Sequence, residues 1–325
     1  MSVNVLMCTY NGEKYLGAQL DSIINQSYKD LVIYVRDDGS TDNTAEIIRG
    51  YEKEYPGKVV FVKTEEHLGY PDCFWDILKK CPTADYYAFS DQDDVWETNK
   101  IERAVEYMAC KGRSLSLYIH DYDNCNGNLE LISHHAIGDI SLLTDRSILF
   151  YTYASGFCMV IDNNMRDMLN SLSLIGKAMY HDEICIWLAH FYGKTLYDDA
   201  TLTKYRRHES TVTEYGNGII KLISNWLRRE ILGREFGDKC KRIKHFLAIK
   251  DDVEKYIAAG KYRFDTSDIK KFPVKTYREW SLLSGNNDRL GGYLKRLFYP
   301  HRLRPTIGGE LALRILFLLN RNEAD

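Results

Sequence analysis

The sequence lacks the features of several large protein classes. No uninterrupted apolar run approaches the ~20 residues of a membrane-spanning helix, because the longest candidate, residues 311–319, contains Arg314. The net charge is only −3, which argues against a general nucleic-acid-binding protein. The eight cysteines form no C-x-x-C pair, and the first residues show no signal-peptide pattern. We therefore expect reduced thiols and a cytoplasmic location.

The two common glycine-rich phosphate loops are also missing. Neither G-x-G-x-x-G nor G-x-x-x-x-G-K-[ST] occurs. Gly193, Lys194 and Thr195 look like the end of the second motif, but position 188 is Leu188 instead of glycine. This excludes ordinary dinucleotide enzymes and P-loop ATPases. A diphosphate bound here would depend on a metal ion and side chains.

What is present is a regular alternation of apolar runs and helical spacing. With 325 residues, 45% of them hydrophobic, the chain is long enough for one large domain, with or without an appendage. Alternating strands and helices predict an α/β fold with an open, mostly parallel sheet flanked by helices. The predicted strands are 3–8, 31–35, 59–62, 86–89, 115–119, 157–161 and 201–205, and the predicted helices are 13–26, 41–51, 72–80, 100–108 and 177–191.

Polar clusters follow three of the predicted strands, at residues 9–11, 37–40 and 90–94. Ligands of open α/β sheets bind outside the carboxyl ends of the strands, so we expect these clusters to line one site. The last cluster places Asp91, Asp93 and Asp94 within four positions, where like charges repel. A hard divalent cation, Mn²⁺ or Mg²⁺, would offset that repulsion. An Asp-rich turn is the alternative.

The clusters lie in three motifs of defined order and spacing, CTYNGEKYL (8–16), VRDDGSTDNT (35–44) and FSDQDDVW (89–96). Together these motifs resemble those of the family 2 glycosyltransferases, which have the GT-A fold. The resemblance covers about residues 1–212 and implies a Rossmann-like, mostly parallel sheet flanked by helices.

Later segments are similar to the bacterial rhamnosyltransferase-like subtype of that family, namely SGFCMVIDN (155–163), YHDEICIW (180–187) and YRRHESTVT (205–213). After about Gly218 the pattern becomes helical and basic. We therefore predict a GT-A catalytic domain at 1–217, with a nucleotide-sugar half at about 1–112 and an acceptor half at about 113–217, and a helical C-terminal extension at 218–325.

The resemblance implies which residues contact a nucleotide-sugar donor. The positions that match these contacts are Thr9, Tyr10, Asn11, Glu13 and Asp38. Asp38 falls on the acid that binds the base or the ribose. The chain departs from the family at His67 and near Cys73, where the family often carries Asn.

The resemblance also implies catalytic and metal-binding residues. Asp91 and Asp93 match the Asp-x-Asp pair, in which Asp91 contacts the nucleotide-sugar and Asp93 is the direct ligand of Mn²⁺ or Mg²⁺. Asp182 matches the catalytic base, and His208 matches a residue near the metal and the diphosphate.

Some of these residues have a second interpretation. Glu183 competes with Asp182 for the role of base, since adjacent helical residues point in different directions, and acids at a helix start also suit the macrodipole. Trp96 is predicted either to pack against the acceptor sugar or to belong to the core. His208 follows two arginines, which suits either a diphosphate site or a solvated basic loop.

The resemblance implies an inverting, metal-dependent transfer from a UDP- or dTDP-linked sugar to a saccharide or lipid-linked oligosaccharide in cell-surface polysaccharide assembly. The alternative is a non-catalytic nucleotide-sugar-binding or scaffold subunit that keeps the GT-A shell. A nucleotidyltransferase would need a glycine- and Arg-rich N-terminal loop ending in Lys, which CTYNGEKYL does not supply. No nucleic-acid partner is expected.

The C-terminal part is basic. Between Arg289 and Arg321 there are seven Lys or Arg residues and one acid, Glu310. Basic amphipathic helices of this kind bind anionic membranes, which would place the protein on the inner face of the plasma membrane. The alternative is a helical cap on the catalytic domain or a homodimer contact, and this alternative is favoured for residues 219–255.

Overall fold

The computed structural model describes residues 1–64, 66–110, 115–135, 137, 140–172, 179–208, 235–260, 272–284, 290–304 and 307–319. The chain forms two compact units. The described part of the first comprises residues up to 137, 153–208 and 253–260, and that of the second comprises 140–152, 235–252 and 272–319. The predicted boundary between residues 217 and 218 lies outside the described residues, so it stays a prediction.

The first unit begins with four parallel strands in the order β3-β2-β1-β4. The first strand is buried along nearly its whole length, as expected for a parallel strand covered on both faces. Amphipathic helices connect the strands. The elements are β1 Val3–Thr9, α1 Leu16–Ile24, β2 Leu31–Asp37, α2 Thr44–Glu54, β3 Val59–Val62, α3 Asp72–Lys80, β4 Tyr86–Ser90 and α4 Lys100–Ala109.

Beyond β4 the same sheet continues in mixed orientation, in the order β4-β8-β6-β9-β5, with β7 paired to β6. The pairs β4–β8, β8–β6 and β9–β5 are antiparallel, whereas β6–β9 is parallel. The elements are β5 Val95–Trp96, β6 Ser116–Cys125, β7 Leu131–His135, β8 Met159–Asp162, α5 Asn163–Ser171, α6 His181–Tyr192 and β9 Lys194–Arg206.

The predicted α/β architecture, with a helical C-terminal part, is confirmed. The structure adds β5, β7 and α5, which were not predicted, and it starts β9 seven residues earlier than expected. The sequence Asp198-Asp199-Ala200 looks like a turn, but β9 passes through it with a shift in register against β6. Asp198 is buried there and accepts hydrogen bonds from Arg103 (2.7 Å) and the Tyr118 hydroxyl (2.7 Å). These contacts stabilise a buried acid that sequence alone places in a loop.

The described part of the second unit is mainly helical: α7 Glu235–Ala258 (whose last turns belong to the first unit), α8 Val274–Ser284, α9 Leu290–Leu297 and α10 Ile307–Leu319. The rings of Phe150, Phe236 and Phe317 pack with centroids 5.6 to 6.1 Å apart. Arg146 forms an ion pair with Glu279 (2.8 Å). No helix in the described part of the chain is both long and apolar enough to cross a membrane.

Candidate functional site

The carboxyl ends of β1, β2 and β4 lie side by side, and the three predicted polar clusters meet there. Thr9 Oγ1 donates to Asp37 Oδ1 (2.9 Å), and the backbone N–H of Asp38 donates to Thr9 O (2.8 Å). Gln92 joins the third cluster to the first. Its Nε2 donates to Tyr10 O (3.1 Å), and its Oε1 accepts from the Tyr10 N–H (2.9 Å). The parallel strand order explains this convergence.

Asn11 and Glu13 hold the loop after β1 against the start of α2. Asn11 Oδ1 accepts from the Thr41 N–H (2.8 Å), and Glu13 Oε2 accepts from the Asn43 N–H (3.0 Å). These bonds satisfy backbone donors at and just before the N-terminus of α2. The side chain of Tyr10, which directly precedes Asn11, is exposed. Of the residues predicted to line a base pocket, Tyr10 is therefore the one that presents its ring outward.

Asp38 is buried directly after β2 and holds a network of its own. Its carboxylate accepts from the N–H groups of Leu68 (2.9 Å) and Gly69 (2.7 Å) and is paired with Arg36. Burial alone would raise the pKa of Asp38, but these N–H groups and the guanidinium hold it below its usual value. His67, one of the two departures from the family, contacts the same carboxylate through Nδ1 (3.1 Å).

Residues 91–94, the acidic tip, follow β4 directly and include three aspartates. Burial, followed by the charges of Asp93 and Asp182, raises the pKa of Asp91 to about 7. Asp94 is fully buried; its Oδ1 accepts from the Arg206 N–H (3.1 Å), and its Oδ2 has no hydrogen-bond partner among the described residues. Burial and the neighbouring acids raise the pKa of Asp94 well above its usual value, which favours the protonated form.

Lys100, which the sequence did not single out, lies buried beneath this tip. Its Nζ donates to Phe157 O (2.7 Å) and Thr203 Oγ1 (3.0 Å) and lies 3.6 Å from the centre of the Trp96 ring. Burial lowers the pKa of Lys100 to about 7, although nearby acids oppose that change. Its two hydrogen-bond partners are 57 and 103 positions away, so no local pattern could reveal the contact.

The position of Trp96 corrects its predicted contact with an acceptor sugar. Its side chain is only 2% exposed, in the main apolar core, with Lys100 against the ring. No ring face is left for a sugar, and the core interpretation is the one that its burial supports. An aromatic ring that is available is Tyr70, which is 55% exposed. It lies next to α6, with ring centroids 5.2 Å from Tyr180 and 5.9 Å from His181.

Asp93 and His208 are 115 positions apart in sequence and in contact in the structure, with Nε2 2.8 Å from Oδ2. The His208 ring packs on Tyr15, with centroids 4.8 Å apart. Arg206 is buried and donates to the carbonyls of Asp93 (2.7 Å) and Gly127 (2.6 Å). Arg206 therefore stabilises the backbone of the acidic tip from the buried side. The sequence left a diphosphate site and a solvated basic loop open for the arginines before His208, and the burial of Arg206 fits neither.

The N-terminus of α6 carries the predicted base. Asp182 is partly exposed, whereas Glu183 is buried. His181, just before them, is buried with its ring centroid 4.4 Å from Phe74 and 4.6 Å from Phe89. Neither ring nitrogen has a hydrogen-bond partner in the described structure, and burial lowers the pKa of His181 to about 3. A neutral, tightly packed ring thus anchors the turn that presents Asp182.

The side-chain atoms at the tip that could coordinate a metal ion are compatible with a divalent cation. Asp91, Asp93 and His208 offer carboxylate oxygens and an imidazole nitrogen. The pKa of Asp91 is raised first by burial and then by the charges of Asp93 and Asp182, and a bound cation would offset both effects. These three residues are not a complete ligand set, because the described segments contain no group of three His, Cys, Asp or Glu side chains arranged to hold an ion by themselves. Water and substrate phosphates would therefore supply most of the coordination, as is usual for Mg²⁺.

Comparison with known proteins places these observations in a family. The family described as glycosyl transferase family 2 matches residues 4–166. The dTDP-rhamnosyl transferase RfbG of Shigella flexneri is 28% identical over 250 residues, which are 69% of this chain and 82% of that protein. Several other glycosyltransferases are matched over less than two thirds of their own length.

Two solved structures share the fold. S. aureus TarS (residues 1–349), in complex with UDP-GlcNAc, aligns with a TM-score of 0.51 and 17% identity over 79% of this chain and 83% of that one. The mannosyltransferase PcManGT from Pyrobaculum calidifontis, in complex with GDP-Man and Mn²⁺, aligns with a TM-score of 0.51 and 15% identity over 92% of this chain and 88% of that one.

Proposed function

This chain belongs to glycosyltransferase family 2, and we propose that it is an inverting, metal-dependent enzyme that moves a sugar from a nucleoside diphosphate to a saccharide hydroxyl. The observation that carries the proposal is the placement of Asp182. It lies on α6 and Asp91 follows β4, yet, after burial and the charge of Asp93, the charge of Asp182 contributes to the raised pKa of Asp91. This electrostatic interaction supports a single site that contains the candidate base and the acidic tip. We assign this chemistry to a catalytic domain at 1–217, with an extension at 218–325.

We assign the base to Asp182. In an inverting transfer, the acceptor oxygen attacks the anomeric carbon while the bond to the diphosphate breaks, and one base takes the hydroxyl proton. Asp182 is the accessible carboxylate of the pair, because Glu183 is buried. An ionised aspartate of ordinary pKa suffices, since the hydroxyl becomes acidic only as the new bond forms.

The donor is proposed to lie along the three strand ends. The exposed Tyr10 ring lies 5.2 Å from the ring of His67, which contacts the buried Asp38 carboxylate, and Thr9, Asn11 and Glu13 hold that loop in place. The named donors of the relatives, a dTDP-rhamnose in RfbG and UDP-GlcNAc in the TarS complex, support a UDP- or dTDP-linked sugar.

Asp93 and His208 would hold Mn²⁺ or Mg²⁺, with Asp91 oriented toward the nucleotide-sugar. When bound, such a cation stabilises the negative charge of the departing diphosphate. The Mn²⁺ in the PcManGT complex supports this choice of cofactor. The chain contributes the arrangement of the tip: Arg206 donates to Asp93 O (2.7 Å) and keeps the loop in position.

The acceptor is proposed to be a saccharide or a lipid-linked oligosaccharide in cell-surface polysaccharide assembly, on the inner face of the plasma membrane. The name of Escherichia coli WfgD, a UDP-Glc:alpha-D-GlcNAc-diphosphoundecaprenol beta-1,3-glucosyltransferase that is 26% identical over 161 residues, supports a lipid-linked acceptor.

A matched set of variants tests the proposal. A panel of UDP-, dTDP- and GDP-sugars is first screened for thermal stabilisation with and without Mn²⁺, which selects a donor. Hydrolysis and transfer of that donor are then measured for Asp93→Ala, Asp182→Asn and Glu183→Gln. We expect Asp93→Ala to lose stimulation by Mn²⁺. Asp182→Asn should keep donor binding and lower the transfer rate by about 10²- to 10⁴-fold, while the control Glu183→Gln keeps transfer.

The opposite pattern at the two α6 positions would make Glu183 the base. Donor binding with no transfer or hydrolysis by the wild type, for any acceptor supplied, would favour the non-catalytic subunit instead.

A further inference from the structure

Helix α10 is apolar on two opposite faces. One face carries Leu313, Leu316 and Phe317, which are buried in the second unit. The Phe317 ring lies 5.6 Å from that of Phe150 and 5.8 Å from that of Phe236. This packing accounts for the inner face of the helix. An amphipathic helix of a globular protein would then have a polar outer face.

The outer face of α10 is a row of large aliphatic side chains instead. Ile307, Leu311, Ile315 and Leu318 are spaced by four, four and three positions, which places them on one side of the helix. They are between 43% and 72% exposed. Phe298, just after α9, is 72% exposed. Single exposed apolar residues are normal on protein surfaces, but a continuous row of this length indicates an interaction surface.

The segment that contains this row is mostly positively charged. The described residues of 290–319 carry five cations and one acid, and the cations are Lys295, Arg296, Arg302, Arg304 and Arg314. Lys295 and Arg302 are exposed. The acid, Glu310, is engaged inside the unit, where it accepts from Arg314 Nε (2.7 Å) and the Leu303 N–H (2.8 Å). The surface of the α9–α10 pair is therefore apolar and positively charged.

We propose that the α9–α10 pair docks on an anionic lipid surface, with the outer row of α10 and Phe298 among the acyl chains and Lys295 and Arg302 at the phosphates. Apolar side chains flanked by basic ones are the features of helices that lie in the membrane interface. Helix α10 has 13 residues, about 20 Å, so it lies on the bilayer and does not cross it. The inference rests on the proposed function in that a lipid-linked acceptor would be presented at such a surface.

A second copy of the chain fits this surface less well. A symmetric contact would bring the same patch of both copies together, and with it two sets of exposed cations. An anionic bilayer complements both the charge and the apolar row.

Flotation of the full-length protein with vesicles tests the apolar part. Wild type should bind phosphatidylglycerol-containing vesicles and not pure phosphatidylcholine. Phe298→Ser/Leu311→Ser should bind at least tenfold more weakly, because it removes two inserted side chains. The control is Leu131→Ser/Ile132→Ser, which removes two similarly exposed apolar side chains of the first unit and should bind like wild type.

Charge reversal tests the electrostatic part. Lys295→Glu/Arg302→Glu should weaken binding at least tenfold, while Arg49→Glu/Lys53→Glu, which changes the net charge equally on α2, should not. Raising the salt concentration should weaken binding of the wild type. Absence of wild-type binding, or equal binding by all variants, would overturn the proposal. So would a wild-type dimer that Phe298→Ser/Leu311→Ser dissociates without any change in vesicle binding.

Donor hydrolysis in solution, without vesicles, separates this inference from the proposed function. Phe298→Ser/Leu311→Ser and Lys295→Glu/Arg302→Glu should both hydrolyse the donor like wild type. A wild-type protein that hydrolyses the donor but does not bind vesicles would reject the docking surface alone. Intact vesicle binding without any hydrolysis or transfer would reject the proposed function alone.

Discussion

Replacing Gly156 by alanine should destabilise the protein through a clash with His181. A Cβ at position 156 would lie 2.0 Å from His181 Nε2 and 3.0 Å from two of its ring carbons. The ring has little room to move, because it is buried with Phe74 at 4.4 Å and Phe89 at 4.6 Å between centroids. Overpacking of a tight core site costs about 1–3 kcal/mol, and the short distance favours the upper end.

An opposing effect has to be subtracted. Replacing glycine by alanine lowers the entropy of the unfolded chain, which stabilises a protein by about 0.4–1 kcal/mol where the backbone permits it. The clash is larger, so Gly156→Ala should lower the free energy of unfolding by about 2 kcal/mol. Gly50 offers a matched control, since it lies on the exposed side of α2 and nothing is within 4 Å of an added Cβ. Gly50→Ala should stabilise the protein by about 0.5–1 kcal/mol.

Urea unfolding of a double-mutant cycle measures the clash itself. In a background of His181→Ala the added methyl group has space, so Gly156→Ala should no longer destabilise the protein. Only the stabilising effect on the unfolded chain remains there, and the cycle should show coupling of about 3 kcal/mol, which is the clash itself. Wild-type stability for Gly156→Ala, or additive effects of the two substitutions, would refute the described packing of His181. Because the same turn presents Asp182, a confirmed clash should also lower the rate of sugar transfer.

Two further predictions concern buried charges. Lys100→Met leaves Phe157 O and Thr203 Oγ1 without their donor and should cost about 2–4 kcal/mol in urea unfolding. Because the pKa of Lys100 is lowered to about 7 in the fold, the unfolded chain binds more protons than the folded chain between pH 7 and about 10. Lys100 should therefore make the free energy of unfolding rise with pH in that range, by up to about 1.4 kcal/mol per pH unit. Lys100→Met should lack that contribution, and a pH profile identical to that of wild type would contradict the assignment. Asp38→Asn leaves the buried Arg36 without one of its carboxylates and should cost about 2–4 kcal/mol at pH 7. The pKa of Asp38 is lowered in the fold, so the stability that its carboxylate contributes is present above about pH 4 and disappears as the pH falls through the folded pKa. The free energies of unfolding of Asp38→Asn and wild type should therefore converge in acid. A difference that stays constant down to low pH would contradict the described network.

Two of the three strand-end clusters show which features of the fold the local sequence pattern predicts. An apolar run that ends in Thr9 and another that ends in Ser90 are strands because successive buried side chains exclude other local structures, and helical spacing between them requires parallel crossovers. Parallel order then brings the ends of the strands to one edge of the sheet. The fold class and the meeting of the clusters were therefore predictable before any coordinates. So was the proximity of Asp93 to His208, although only through the family resemblance.

Other features of the site depend on contacts that no local pattern contains. Trp96 has the same neighbours in sequence whether its ring faces a sugar or the core, and the choice is made by Lys100 and the sheet around it. For Arg206 the sequence allowed a diphosphate site or a solvated loop, and the structure shows a buried guanidinium instead. Its carbonyl partners, Asp93 and Gly127, are far away in the chain.

The sequence by itself determined the order of strands and helices up to residue 90, the motifs at the strand ends and the membership of a family, since these depend on periodicity and spacing along the chain. Only the tertiary structure decided which charged groups are buried and which aromatic rings are exposed. Burial is set by packing between distant segments, and it changes the pKa and accessibility of a side chain without leaving any mark in its neighbours.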